Sequence, residues 1–313
     1  MTDSQQPPDA VRRPLRFGDE LLKSILTEQI QRQFSIHPAG SLFHYTSPEG
    51  FLGILSSGSI RATNAAYLND QAELTYPVSL AYELFGRLRR EKTEKDVIEL
   101  IDCVRQFLFS HALFKSWYVV SFSTKGNLLS QWRAYCPQGG YSIGFAGEGL
   151  MDAFRNHSEF RLRPVVYDRE TQERTVHDVF ERIVALSSEL RSRIPDISQE
   201  ECMRECDYAI AARLTEEFIF FKTPSFEEEA EWRIAKGSSA SNDVLFRAQA
   251  GVMKPYFEIR LGGTDGLLPL SEIFVSPTGD QELAEHSARL LLQVQGYREP
   301  DRIIQRPGYS LRS

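Results

Sequence analysis

The chain has 313 residues, enough to bury a substantial core as one large domain or two ordinary ones. Its 42% hydrophobic and 25% charged content is that of a soluble globular protein, and no apolar run approaches the roughly twenty residues that span a bilayer. A net charge of −7 argues against broad binding of phosphate backbones, although the basic cluster at Gly86–Lys92 leaves room for local docking.

From the N-terminus, MTDSQQPPDAVRRPLR is polar and proline-rich and has no apolar stretch of a secretory signal. Residues 1–30 are expected to form a flexible tail and residues 31–313 a single domain. In SLFHYTSPEGFLGILSSGSIRAT, Leu42, Phe43, Tyr45 and Thr46 suit a short strand carrying His44. Ser47 then offers an N-cap, Pro48 the first helical position, and Phe51, Leu52, Ile54 and Leu55 a buried stripe that Gly58 ends. A second strand follows in SIRAT, and Asn69-Asp70 reads as a turn.

Residues from Glu73 to Lys115 carry a helical period broken near REKTEKD, which predicts two helices. SWYVVSFSTKGN alternates as a strand, with Ser121 and Ser123 on one face and Phe122 on the other. NLLSQWRAYCPQGG predicts a short helix capped by Asn127, carrying Gln131, Trp132 and Tyr135 at helical neighbour spacing. YSIGFAG supplies another strand, and residues 170–219 a helical insertion broken near RIPDIS. The C-terminal part alternates strands at YFEIRL, EIFVSP and DRIIQR with a helix at QELAEHSARLLLQVQGY. The predicted class is α+β, with sheet elements near both ends. Cys202 and Cys206 would share a helix face, yet no histidines at ligand spacing accompany them. Reduced cytoplasmic thiols and no metal are the expectation.

The acidic stretch FFKTPSFEEEAEWRIAKG raises the functional question. Read as a strand, EAEWRIA puts Ala230, Trp232 and Ile234 toward a core and Glu229, Glu231 and Arg233 on the opposite face. Ser225 to Glu228 matches a capping box, so a helical turn would run into the strand. A glutamate run of this kind also suits a solvated surface. Hydroxyls at alternate positions of an apolar strand are costly to bury unpaired, so Ser121 and Ser123 suit either a cleft wall or a wet edge. His44 and Tyr45 fit a core as well as a site, and Lys222 and Arg233 fit either a pyrophosphate or the neighbouring glutamates.

A histidine in an early strand, a Ser-x-Ser in a middle strand and a Glu-x-Glu entering a late strand resemble, in that order, the mono-ADP-ribosyltransferase superfamily. More closely, FHYTSPEGFLGILSSGSIRAT, VVSFSTKGNLLSQWRAYCPQGGYSIGF and EAEWRI resemble the bacterial family known as domain of unknown function 2971. Phe122 stands where Ser-Thr-Ser has its Thr, and His44 where the Glu-x-Glu group has Arg. The resemblance implies an ADP-ribosyltransferase-like split mixed sheet and NAD as substrate. It implies catalytic roles for Glu231, which would steady positive charge on the ribose, and Glu229, which would activate the acceptor. His44 and Thr46, with Tyr45 beside them, would bind NAD, Ser121 and Ser123 would position it, and Trp132 or Tyr135 would stack on a ring. The acceptor would be RNA, DNA or protein, the setting a bacterial toxin or phage-defence effector, and an antitoxin or inhibitor protein a possible partner, with no membrane. An NAD glycohydrolase and a non-catalytic binding module on the same fold remain open.

Overall fold

The structure is a computed structural model describing residues 37–68, 72–108, 116–154, 159–193, 198–237, 243–249, 251–263 and 266–308. The expected N-terminal tail and the Asn69-Asp70 turn lie outside these residues.

The first unit forms as its sequence dictates. Strand β1 (Ser41–Thr46) leads into helix α1 (Pro48–Ser57), whose N-cap Ser47 accepts a hydrogen bond from the Gly50 amide. Phe51, Ile54 and Leu55 are buried as the helical period requires, while Leu52 turns out to solvent. Gly58, at φ 64°, closes the helix in the left-handed region and returns its amide to the Ile54 carbonyl. The chain then enters β2 (Ser59–Asn64).

Helices α2 (Ala72–Glu91) and α3 (Lys95–Leu108) lie on either side of the expected break. After β3 (Trp117–Ser123) comes α4 (Leu129–Tyr135). Its N-cap position is Leu128, without a capping side chain, because the Asn127 carboxamide instead accepts from the Trp132 indole N–H at 2.9 Å. β4 (Tyr141–Ala146), α5 (Gly147–Phe154) and β5 (Phe160–Pro164) precede the two long helices of the expected insertion, α6 (Arg169–Arg193) and α7 (Gln199–Phe218). A 3-10 turn (Pro224–Glu229) runs into β6 (Glu231–Gly237), followed by β7 (Leu245–Gln249), β8 (Val252–Arg260), β9 (Leu270–Val275), α8 (Gln281–Val294) and β10 (Ile304–Gln305).

The ten strands form one large mixed sheet organised around β3. β6 pairs with all seven residues of β3 and carries β5 on its other edge. The remaining edge of β3 is shared. β1 meets it at Phe43 opposite Ser123, whereas β2 meets it at Thr63 and Asn64, opposite Val119 and Tyr118. β1 continues into a wing β1-β4-β9-β10, and β2 into a wing β2-β8-β7. The two wings part along Val120, Ser121 and Phe122, leaving a split in the middle of the sheet.

Each face is covered separately. Tyr118, Val120, Phe122, Trp232 and Ile234 pack into a core closed by residues of α1, α5 and α8. Val119 and Ala235, on the opposite face, pack under α2, α3, α6 and α7. The helices of the insertion thus join α2 and α3 in one layer over the face that also carries Ser121, Ser123, Glu231 and Arg233. Beneath that layer Arg161 donates to Glu216 and Arg163 to Glu217, so the inward arginines of β5 are matched by carboxylates of α7.

Candidate functional site

The split opens into a cavity of about 720 Å³ with His44, Thr46, Ser121, Glu229 and Glu231 in its lining. Pockets for small ligands fall in the range of roughly 300–1,000 Å³.

His44 is fixed by the split itself. Where β1 and β3 part, the Ser121 carbonyl would lose its ladder partner, and His44 Nδ1 takes it at 2.9 Å. A carbonyl only accepts, so Nδ1 carries the proton and the neutral ring leaves Nε2 as a bare acceptor. Burial pushes His44 below its ordinary value, opposed by the Ser121 carbonyl and aided by the charge of Arg247. Thr46 lines the same wall, and its carbonyl accepts from the Cys136 thiol.

The acidic end is built on the β3–β6 register. Ser123 sits opposite Glu231 and Ser121 opposite Arg233, so the four side chains share one face. Glu229 does not lie on the strand. It ends the 3-10 turn, and Ala230 follows in the left-handed region at φ 44°. That turn starts at Pro224 with Thr223 as N-cap, not at the expected Ser225 box, because proline is preorganised for the first helical position. The Ser123 hydroxyl donates to the Glu229 carbonyl at 2.6 Å and accepts from the Lys125 amide at 3.0 Å, which pins the turn against β3. Tyr167 Oη accepts the Glu231 amide at 2.9 Å.

Lys222 joins the two carboxylates. Its Nζ lies 2.5 Å from Glu229, 3.2 Å from Glu231 and 3.1 Å from Glu73 of α2. Arg233 holds Glu231 through two nitrogens at 2.7 and 3.0 Å, reaches Glu73 at 2.6 Å and caps the Ile219 carbonyl at 2.7 Å. Three carboxylates against two cations leave the ionised cluster one negative charge in excess. Burial raises the proton affinity of Glu231, but Arg233, Lys222 and the Ser121 hydroxyl outweigh it and hold the carboxyl below its ordinary value. Glu229 shifts the other way, raised by burial against the pull of Lys222. The pair is therefore differentiated: Glu231, 5% exposed, is a fixed anion, and Glu229 is the more basic carboxylate at the edge.

The remaining expected residues divide. Tyr135 lines the cavity with 41% of its surface exposed, and enclosure and the Glu231 charge push its phenol up to about 12. Trp132 is buried behind the wall, edge-on to Tyr45 at 4.8 Å, in a small core with Phe43 and Cys136. The Tyr45 hydroxyl donates to the Lys125 carbonyl and accepts from the Leu128 amide, so Tyr45 braces the loop between β3 and α4. Arg233 and Ser123 stand one layer behind the cavity. Glu73 escapes a reading of the sequence because it belongs to an ordinary amphipathic helix, and only the fold brings it to Glu231.

No helix among the described residues is long and apolar enough to cross a membrane. No curated protein and no solved structure gives a significant match to the chain. The segment that holds Gln131, Tyr135, Lys222 and the two site glutamates, residues 131–234, matches the model of the family described as protein of unknown function (DUF2971).

Proposed function

We propose that this protein is an NAD-dependent ADP-ribosyltransferase whose site is the cavity in the split of the sheet. The observation that carries the reading is the meeting, around one cavity, of a neutral His44 with a free acceptor nitrogen and a carboxylate cluster with excess negative charge. Splitting NAD breaks the bond between nicotinamide N1 and ribose C1′. The electron pair leaves with nicotinamide, and positive charge develops on the ribose, as in glycoside cleavage. Glu231, already ionised and held immobile by Arg233 and Lys222, faces that charge without having to reorganise, which is the condition for stabilising a transition state over the ground state.

An acceptor nucleophile then attacks C1′, and its proton passes to Glu229. The raised proton affinity and partial exposure of Glu229 suit a general base at the entrance. His44 Nε2 accepts from a ribose hydroxyl, Thr46 contacts the ligand on the same wall, and Ser121 holds Glu231 and lines the floor. Tyr135 supplies a stacking ring at the mouth, while Tyr45, Trp132, Ser123 and Arg233 hold these groups in place. In this reading the split sheet is of the ADP-ribosyltransferase kind, and the acceptor is RNA, DNA or protein. The setting is that of a bacterial toxin or defence effector restrained by an inhibitor protein.

The test is incubation with NAD labelled on the adenylate, with and without cellular RNA, DNA and protein. Label carried onto one macromolecular class is the expected result and names the acceptor. Free ADP-ribose alone would make the protein an NAD glycohydrolase, with water in the place of the acceptor. No loss of NAD would reject both.

A further inference from the structure

The wing opposite His44 carries two cations, Arg247 and Lys254, that no carboxylate among the described residues pairs. Cross-strand register sets Arg247 of β7 opposite Lys254 of β8, Thr63 of β2 opposite Tyr256, and Arg61 opposite Glu258, all on one face. Arg61, Arg247 and Lys254 line the same cavity as the carboxylate cluster. Two cations directly opposed across a strand pair repel each other. Among the described residues neither Arg247 nor Lys254 has a carboxylate within ion-pair distance, and Arg61 reaches Glu258 only at 3.7 Å. Lys222, Arg161, Arg163 and Arg233 are each matched by carboxylates.

Arg247 is partly satisfied at one end, donating to Thr63 Oγ1 at 3.1 Å, yet its Nε is buried without a hydrogen-bond partner. An unpaired guanidinium nitrogen is costly to bury, and a fold tolerates it where something outside the chain completes it. Burial, with the nearby charge of Arg61, lowers the proton affinity of Arg247, and its own charge reaches His44. The cavity thus has a positive wall facing a negative floor.

We propose that Arg247 and Lys254, with Arg61 at the rim, form a diphosphate-binding subsite for a nucleotide. Side chains directly opposite on paired strands start about 5 Å apart, a separation that lets each cation take one phosphoryl group of a diphosphate. The guanidinium fork offers two parallel donors and the ammonium a movable point charge. A cavity of about 720 Å³ on a chain of net charge −7 favours a small nucleotide over a polymer backbone. Lys222 and Arg233, the basic residues nearest the acidic stretch, are saturated by carboxylates and leave this task to the opposite wing. The assignment of the diphosphate to NAD rests on the reading above, but binding at this wall needs no turnover.

The experiment is calorimetric titration of the full-length protein with inorganic pyrophosphate and with ADP, at low and at moderate salt. Both ligands are expected to bind, more weakly in salt. Arg247→Gln and Lys254→Gln are each expected to weaken both by tenfold or more, with melting temperatures unchanged or raised because repulsion is relieved. The exposed control Lys95→Gln is expected to leave affinity unaltered. Absence of pyrophosphate binding, or less than a twofold effect of both substitutions, would overturn the subsite. So would a loss seen for a single-stranded oligonucleotide but not for ADP. Pyrophosphate binding without NAD turnover would reject the transferase and keep the subsite; turnover unaffected by both substitutions would do the reverse.

Discussion

His44 shows how one hydrogen bond decides the chemistry of a residue. Its Nδ1 serves the Ser121 carbonyl, so the ring is a neutral acceptor inside the cavity for as long as it stays unprotonated. Its proton affinity is lowered from the ordinary value of 6.5, so below that pH the unfolded chain binds a proton that the native protein resists. The stability this confers is present above pH 6.5 and is lost as pH falls through the native value. His44→Asn keeps a donor for the carbonyl and removes the titration. Urea midpoints measured at pH 7.5 and 5.5 should fall less on acidification in the variant than in the wild type. An identical fall in both would show that His44 titrates normally in the fold.

At the scale of elements, the clamp through Lys222 fastens α2, the 3-10 turn and β6 together at one point. Its three carboxylate partners come from those three elements. Burial disfavours the ammonium, and Glu231 and Glu73 overcome this and raise its proton affinity. Breaking a buried charge cluster by removing one partner costs about 3–5 kcal/mol, because the charges left behind are uncompensated. Lys222→Met should therefore lower the unfolding free energy by that order, read as a lower denaturant midpoint with the slope unchanged, and adding Glu229→Gln should restore part of the loss. A change under about 1 kcal/mol would mean that Arg233 alone suffices to hold Glu231 and Glu73.

The elements most legible in the sequence were those whose signals are local. The Ser47-Pro48 start and Gly58 stop of α1, the alternation of β3 and the period of α2 and α3 stand where the sequence puts them. The turn before β6 was less legible. Ala230 at φ 44° sits in a conformation that an alanine rarely adopts, and the bonds from Ser123 to Glu229 and from the Thr124 amide to the Ala230 carbonyl hold it there. No local propensity announces such a turn. The helix at Gly147–Phe154 and the strands Phe160–Pro164 and Leu245–Gln249 also went unpredicted. β5 and β7 take their form from pairing with β6 and β8 rather than from a clear alternation of their own.

Across the whole molecule, the site exists because two wings share one edge of β3 without meeting. That gap sets His44 against Ser121 on one side and the cationic wing on the other, with the carboxylate cluster at the base. Glu229, Glu231, Ser121 and His44 were legible as candidates from residue type and order, whereas Glu73, Arg247 and Lys254 were not. Their roles depend on long-range pairing: Glu73 reaches Arg233 across 160 positions, and Arg247 reaches Thr63 across 184.

The central claim is that Glu231 is fixed as an anion in this cavity in order to split NAD. The most direct measurement is nicotinamide release from NAD by the wild type and by Glu231→Gln, alongside the affinity of each for ADP-ribose. The account predicts release by the wild type, a loss of about 10²–10³-fold or more in the variant, and ADP-ribose affinities within about threefold of each other, since binding that does not distinguish ground from transition state is preserved. No release by the wild type, or equal release by the variant, would contradict it.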